Sequence, residues 1–490
     1  MQMLPESLYT PAQVRELDRR AIEDTGIPGH VLMARAGRSA WRALEKRWPG
    51  PARLLVLCGG GNNGGDGYVI ARRAAEAGWS VDLWALTDPQ GLEGDARRAA
   101  EAALATITPI DDPQPALAEA DVVVDALLGT GLDRPVSGRL ATLIDAVNAA
   151  GCPVLSVDVP SGLHAASGQV MGTAVRATLT PTFIGLKQGL FTGEAADCVG
   201  EIRFDDLGVP DHVHAGMTPA ARRLPDSAPG DALGPRWRTA HKGRFGHVRV
   251  LGGDHGMGGA VRLAGEAAAR SGAGRVSVVT RPEHVAGVLA GRPELMVTGL
   301  SAESIRGAAI APGETLALGP GLGQARWGRC AFERGLQHTG ALVVDADGLN
   351  WLATQPQRRD DWVLTPHPGE AARLLGVGTE AVSADRWATA DALVARYGGV
   401  AVLKGAGTLI VDAQRRRVVT AGNPGMASGG MGDVLTGIIA GLLAQGWPPF
   451  EAACLGVTVH ARAADQAARD GERGLLAGDV LAQLRSAVNP

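Results

Sequence analysis

The run Asn423-Pro-Gly-Met-Ala-Ser-Gly-Gly-Met-Gly-Asp433-Val-Leu-Thr-Gly437 is a glycine-rich turn that delivers one carboxylate, Asp433, to the start of a strongly apolar helix. N–H groups in the first turn of a helix lack intrahelical acceptors and lie at the positive end of its dipole, so small residues there let an anion reach the main chain. A bare carboxylate beside such an anion site repels phosphate unless a proton or cation intervenes. Asp433 therefore reads best as a base acting on a substrate hydroxyl. The bland alternative is a glycine-rich helix end followed by a capping Asp.

Three more polar loops lie in the first half. Gly59-Gly-Gly-Asn62-Asn63-Gly64-Gly65-Asp66-Gly67 joins an apolar run to a helix. Its glycines and asparagines suit positive φ, and the helix start offers N–H groups to a phosphate. The spacing differs from the G-x-G-x-x-G fingerprint, so ordinary NAD(H) redox binding is not implied. Asp125-Ala-Leu-Leu-Gly-Thr-Gly131 and Ser156-Val-Asp158-Val-Pro-Ser161-Gly162 fall at the carboxyl ends of predicted strands, where open α/β sheets bind ligands. Oxygens of Asn63, Asp125 and Ser161 are hard donors that suit an alkali or alkaline-earth cation rather than zinc. Asp158 is the candidate acid or base. Singly, each Asp would more often cap a helix or satisfy a turn, but three such loops on one sheet edge favour a site.

The elements behind these loops are parallel βαβ units. Short β-branched runs at Arg53–Cys58, Ser80–Leu86, Asp121–Leu127 and Pro153–Asp158 alternate with helical stretches rich in Ala, Leu and Arg. A second series comprises His247–Leu251, Arg275–Thr280, Thr315–Leu318, Ala341–Asp345, Trp362–Thr365 and Val400–Leu403. The fold class is α/β with two sheets and two domains, expected at 1–215 and 236–490 with a proline-containing linker at 216–235. The halves use different loop motifs, which argues against simple duplication.

Composition narrows the partners. A net charge of -4 over 490 residues gives no footprint for constitutive nucleic-acid or anionic-membrane binding, and no apolar run is long enough for a spanning helix. Cys58, Cys152, Cys198, Cys330 and Cys454 are scattered without a C-x-x-C pair, so buried thiols in a reducing cytoplasm are expected, without zinc or disulfides. With 4% aromatic residues and 69 glycines, the chain favours tight strand-to-helix turns over stacking platforms.

Taken with Phe183-Ile-Gly-Leu-Lys187-Gln-Gly189, the first-half loops resemble the NAD(P)H-hydrate epimerase domain, a Rossmann-like three-layer α/β/α fold. That resemblance implies a substrate site at Asn62, Asn63, Gly64, Gly65 and Asp66, completed by Gly129, Thr130, Gly131, Leu132, Asp133, Arg134, Pro135 and Asp158. It also implies potassium ligated by Asn63, Asp125 and Ser161. Lys187 is either a phosphate or substrate contact or a solvated strand end. Pro181, in the preceding run, speaks against a central strand there.

The second half offers Gly252-Gly-Asp-His-Gly-Met-Gly-Gly-Ala260, Gly319-Pro-Gly-Leu-Gly323, Asp345-Ala-Asp-Gly-Leu-Asn350, Thr365-Pro-His367-Pro-Gly-Glu370, Lys404-Gly-Ala-Gly-Thr408 and the Asp433 turn. This set resembles the ADP- or ATP-dependent NAD(P)H-hydrate dehydratases, a ribokinase-like branch. The resemblance places nucleotide on Lys404, Gly405, Ala406, Gly407, Thr408 and Gly432, and hydrated substrate on Ala260, Gly323, His367 and Asp433. Such an enzyme would phosphorylate the ring hydroxyl of NADHX or NADPHX with ADP and magnesium, then eliminate phosphate. His367 can instead satisfy a turn, and Glu370 can cap a helix or help hold a magnesium-bound phosphate. A homo-oligomer is expected. The alternatives are a ribokinase-like small-molecule kinase that releases its phosphorylated product, and a first domain that serves only as a binding scaffold.

Overall fold

The computed structural model describes residues 3–50, 52–225 and 232–489. The chain divides into two compact units, Met1–Arg222 and Arg223–Pro490.

The first unit is built on strands β2 (Arg53–Cys58), β3 (Ser80–Ala85), β4 (Val122–Ala126), β5 (Val154–Ser156), β6 (Leu179–Phe183) and β8 (Glu201–Asp205). They form one parallel sheet in the order β3-β2-β4-β5-β6-β8. Alternate side chains of β2 serve opposite cores. Leu54, Val56 and Cys58 pack with Leu32, Ala36, Tyr68 and Ile70 on one face, while Leu55 and Leu57 pack with Leu143, Ile144 and Val147 on the other. Burial on both faces explains why the strand reads as a continuous apolar run. The result is the expected three-layer arrangement.

Three short strands stand apart from that sheet. β1 (Ser7–Tyr9) runs parallel to β7 (Leu186–Lys187) and antiparallel to β9 (Ala221–Arg223), with Leu8 opposite both Leu186 and Ala221. Helix Pro11–Glu23 follows β1 directly, and a capping box between Thr10 and Gln13 fixes its start. The pairing of β1 with β7 thus brings the first helix beside Lys187.

Two expectations are corrected here. The segment 216–235 is not simply a connector, because Ala221–Arg223 forms β9; residues 226–231 lie outside those described. Pro181 does sit in a strand with neighbours on both sides. β5 and β6 share only the Leu155–Leu179 pair, after which Asp158 N donates to Pro181 O at 2.8 Å. On that side only the proline carbonyl is required, so the missing N–H leaves no bond unmade.

The second unit carries β10 (His247–Leu251), β11 (Arg275–Thr280), β12 (Met296–Gly299), β13 (Thr315–Leu318), β14 (Leu342–Val344), β15 (Trp362–Leu364) and β16 (Val400–Leu403). These run parallel in the order β12-β11-β10-β13-β14-β15-β16, and β17 (Thr408–Val411) and β18 (Arg416–Val419) extend the sheet antiparallel. The antiparallel pair was not foreseen. Helices Gly258–Arg270, Met431–Ala444, Pro449–Ala467 and Ala477–Ala487 contribute to one large core over the sheet. Gly437 makes the approach of two of them possible, since a Cβ there would stand 2.1 Å from Ala264 O. Helix Met431–Ala444 is held in this way against the helix that bears Ala260.

Candidate active sites

In the first unit, the carboxyl ends of β2, β4 and β5 open onto a cavity of about 560 Å³. Asn62, Asn63, Asp66, Gly129, Thr130, Gly131, Leu132, Asp133, Arg134 and Asp158 all line it. Pro135 does not, and neither do Gly64 and Gly65. The reason is that helix Asn62–Glu76 begins at Asn62, so these glycines are already helical, and none of the glycines from Gly59 to Gly67 has positive φ. They serve close approach instead: a Cβ on Gly64 would lie 2.0 Å from Gly59 O, and one on Gly65 would lie 2.6 Å from the Met33 side chain. The expectation of left-handed loop glycines is thereby replaced by tight packing of a helix onto its own entry turn.

Asp158 sits just past β5 with φ of 67°. Its Oδ1 accepts from Thr182 Oγ1 at 3.0 Å, from Phe183 N at 3.3 Å and from the Lys187 ammonium. Lys187 is not a solvated strand end, because its side chain is 1% exposed. The two remaining ammonium protons reach Thr182 Oγ1 and Phe183 O, both at 3.1 Å. Nothing in the local sequence announces a buried ion pair twenty-nine residues apart; the hydrogen-bond geometry alone reveals it. Among the described residues, four non-glycine residues have positive φ. Asp158, Ile184 and Leu207 line this cavity, and Ala346 adjoins Asp345 in the second unit. Backbone strain of roughly 1–3 kcal/mol per residue persists only where surroundings enforce it, and it gathers here at the two candidate sites.

Beneath the cavity, Asp125 is fully buried. It accepts from Ser161 Oγ, from Ser161 N at 2.9 Å, from Ser156 Oγ at 2.7 Å and from Leu127 N at 3.3 Å. Burial pushes its carboxyl above the ordinary value, and these four bonds oppose the shift. Ser161 Oγ is also 3.3 Å from Leu128 O, which accepts from Asn63 Nδ2 at 2.9 Å. Asn63, Asp125 and Ser161 are therefore brought together with a main-chain carbonyl, a hard-oxygen set that fits a potassium ion. A cation there would draw on Asn63 Oδ1 only with the amide turned from its present orientation.

In the second unit, Gly430 takes φ of 91° as the residue before helix Met431–Ala444 and makes no side-chain cap, leaving the first-turn N–H groups uncapped. Asp433 is the third residue of that helix and caps nothing, which removes the bland alternative. Burial raises its carboxyl to about 7, with the charges of Asp345 and Glu370 adding and Lys404 opposing. Gly432 separates the anion turn from the charged cluster, since a Cβ there would stand 3.3 Å from Lys404 Nζ and 3.4 Å from Asp345 Oδ2.

Lys404 follows β16 and donates to Asp345 Oδ1 at 2.8 Å, with Glu370 Oε2 at 3.8 Å. Burial alone would raise the Asp345 carboxyl, but the Lys404 ammonium and bonds from Lys404, Thr436 and Thr365 hold it below its usual value. Burial raises Glu370 to about 6. Glu370 caps its helix, accepting from His367 N at 2.8 Å. His367 Nδ1 accepts from Gly369 N at 3.0 Å, while its Nε2 lies 3.4 Å from Glu370 Oε1. Burial, then the charges of Lys404 and Arg373, depresses its pKa and favours the neutral ring.

Gly323 N donates to Asp347 Oδ2 at 2.9 Å, Asn350 Nδ2 to Asp347 Oδ1 at 3.1 Å, and Arg373 Nη1 to Asn350 Oδ1 at 2.6 Å. This chain links the Gly323 loop to the helix capped by His367. Ala260 lies across from Gly321, whose added Cβ would stand 3.1 Å from the alanine methyl. The loop Lys404 to Thr408 is anchored by buried Arg386, whose Nη2 reaches Leu403 O and Gly407 O, both at 3.2 Å. Among the described residues, no group of three or more His, Cys, Asp or Glu could hold a metal alone.

Comparison with known proteins agrees with both halves. The family described as YjeF-related protein N-terminus matches residues 29–189, and the one described as NAD(P)H-hydrate dehydratase matches residues 248–485. A bifunctional NAD(P)H-hydrate repair enzyme from Coxiella burnetii is 49% identical over 99% of both chains. One from Escherichia coli is 44% identical, over 99% of this chain and 95% of its own. The chain belongs to the bifunctional NAD(P)H-hydrate repair enzyme family. Its second unit also resembles a ribokinase-like superfamily protein from Enterococcus faecalis, 29% identical with a TM-score of 0.50, covering 56% of this chain and 98% of that one.

Within this epimerase–dehydratase architecture, the sequence left several site residues unassigned. The partner of Lys187, Asp158, lies outside its own run, and Asp345 lies in a motif that assigns it no role. Asp18 lines the first cavity and Arg386 braces the Lys404–Thr408 loop with no local signal in their neighbours; Met33, Phe183 and Ile184 line the cavity too, the last two within the Phe183–Gly189 run. For Asp345 a signal existed, since a carboxylate directly after an apolar strand occupies the sheet edge where ligands bind. Of the cysteines, Cys152 is half-buried rather than buried, and all five are free.

Proposed function

We propose that the chain repairs hydrated nicotinamide coenzymes in the cytoplasm. The first unit interconverts the R and S forms of NADHX and NADPHX, and the second dehydrates the S form using ADP, releasing AMP and phosphate. One observation carries this reading: Asp433, raised to about 7, stands beside the uncapped helix start and the Lys404–Asp345 pair. A base there is matched to neutral pH, and the phosphate cradle lies next to it.

The chemistry follows from the ring. Hydroxide is a poor leaving group, so Asp433 takes the ring hydroxyl's proton while that oxygen attacks the terminal phosphoryl group of ADP and AMP departs. N–H groups of Gly429, Gly430 and Gly432 and the Lys404 ammonium offset the charge on the transferring group. The ring nitrogen's lone pair then expels phosphate, and loss of a proton from the neighbouring carbon restores the double bond. Magnesium on the phosphate oxygens would add charge neutralisation. Lys404 through Thr408 hold the nucleotide, and Ala260, Gly323 and His367 frame the hydrated ring.

In the first unit, Asn62, Asn63, Asp66 and residues Gly129 to Arg134 bind the substrate, and Asp158 handles its proton. Potassium on Asn63, Asp125 and Ser161 would fix the loops that carry them. Incubating the full chain with mixed NADHX epimers, ADP, magnesium and potassium should restore the absorbance of the reduced ring with matching AMP and phosphate. Consumption of ADP into a stable phosphorylated product, without phosphate release, would instead mark a small-molecule kinase.

A further inference from the structure

The first cavity contains a carboxyl that the reading above leaves idle. Val14, Arg15, Asp18 and Ile22 line it from helix Pro11–Glu23, a spacing that sets all four on adjoining turns of one face. Asp18 therefore reaches the cavity from a different element than Asp158, which arrives on the loop after β5. It lies within the fields of Asp158 and Lys187, and Asp66 lies within its own. Arg15, Asp95 and Arg134 are further charged groups on the cavity wall.

Epimer exchange makes a particular demand. Water adds to the dihydronicotinamide ring with its hydroxyl on a carbon next to the ring nitrogen, because only there can nitrogen stabilise the cation. Inverting that carbon means breaking the C–O bond with help from the nitrogen lone pair, protonating the departing hydroxide, and adding water to the other face with loss of a proton. An acid is needed on one side and a base on the other, and the roles swap in the reverse direction.

We propose that Asp18 is the second acid–base group of the epimerase site, working opposite Asp158. This rests on the epimerase reading. In one direction Asp18 gives its proton to the departing hydroxide, water forms, and Asp158 takes a proton from the water that adds. In the other direction Asp158 gives and Asp18 takes, so one proton shared by the pair is returned by the reverse turnover or by exchange with solvent. Burial, aided by the charge of Asp158 and opposed by Lys187, raises Asp18 to about 6, which leaves it able to occupy either state. Asp66 is pushed well above the carboxylate range by burial, then by Asp158 and Asp18. Two carboxyl groups in unlike environments are the arrangement that divides acid from base.

The test uses the full chain and pure R epimer, with conversion to S followed by chromatography above the uncatalysed rate. Asp18→Asn should slow conversion roughly a hundredfold or more and remove the fall in kcat/KM on the alkaline side of about pH 6, while ADP-dependent dehydration of pure S form is unchanged. Asp18→Glu should recover most of the rate with that limb displaced. Full activity of Asp18→Asn, or a limb that stays in place in both variants, would overturn the proposal and leave Asp18 a structural residue. Should the parent chain itself fail to convert R to S, the epimerase reading fails first, and that outcome is distinct.

Discussion

Both sites surround one lysine with three carboxyl groups: Lys187 with Asp18, Asp66 and Asp158, and Lys404 with Asp345, Glu370 and Asp433. In each, the surplus negative charge is relieved by raised carboxyls, Asp18 and Asp66 in one and Glu370 and Asp433 in the other. What differs is the freedom of the lysine. Lys187 is 1% exposed and spends all three ammonium protons on Asp158, Thr182 and Phe183 O. Lys404 is 20% exposed, makes one short bond to Asp345, and holds Glu370 only at 3.8 Å. The first lysine is a fixed counter-ion; the second keeps protons to offer, which suits the phosphate contact proposed for it. Like charge inventories thus support unlike chemistry, and hydrogen-bond saturation decides which.

Breaking the second site should have the largest effect. Asp433→Ala is expected to slow ADP-dependent recovery of the reduced ring roughly a hundredfold to ten-thousandfold, with R-to-S exchange untouched; undiminished dehydration would remove Asp433 as the base. Next in size, Lys187→Met leaves buried carboxylate without its cation and should lower the free energy of unfolding in urea by about 3–5 kcal/mol. Lys404→Met likewise strips buried Asp345 of its cation, and should add to a stability loss a rise in KM for ADP of roughly ten- to a hundredfold, the worth of a charged hydrogen bond or two. An unchanged KM for ADP in Lys404→Met would erase the contrast between the lysines.

The raised carboxyl of Asp433 gives a pH signature. Its proton must be off for catalysis, so kcat/KM for dehydration should fall as pH drops below about 7. For stability the sign is opposite: an acid whose folded value is raised is held best in its protonated form, so that contribution is complete below about 4 and lost as pH climbs through about 7. Unfolding measured across that window should show wild type losing ground to Asp433→Asn as pH rises. The smallest effect is expected from replacing potassium by sodium, which should slow epimer exchange severalfold and leave dehydration alone; Ser161→Ala should blunt that cation dependence.

Strands β2 to β5 and, in the second unit, β10, β11 and β13 to β16 were legible because burial writes them as apolar segments between glycine turns, whereas the half-exposed edge strand β12 was not. β1, β7 and β9 were not, since two or three residues of strand carry no periodicity and depend on partners far along the chain. Glycines from Gly59 to Gly67 show a subtler gap: their number signalled a tight turn, yet close contact rather than positive φ explains them. At the second site the turn before Asp433 could be read, whereas its approach to Asp345 and Lys404 could not, because the three come from separate elements.

By itself, the order of residues determined two α/β units and the loops at their strand ends, and it singled out the carboxylates Asp158 and Asp433 as candidates for chemistry. Those are local properties, written in apolar runs, helix starts and glycine turns. Only the tertiary structure decided the partners: Lys187 on Asp158, Lys404 between Asp345 and Glu370, and Asp18 brought to the first cavity by the pairing of β1 with β7. Charge state depends on burial and on neighbours across space, and neither is a property of the residues next in line.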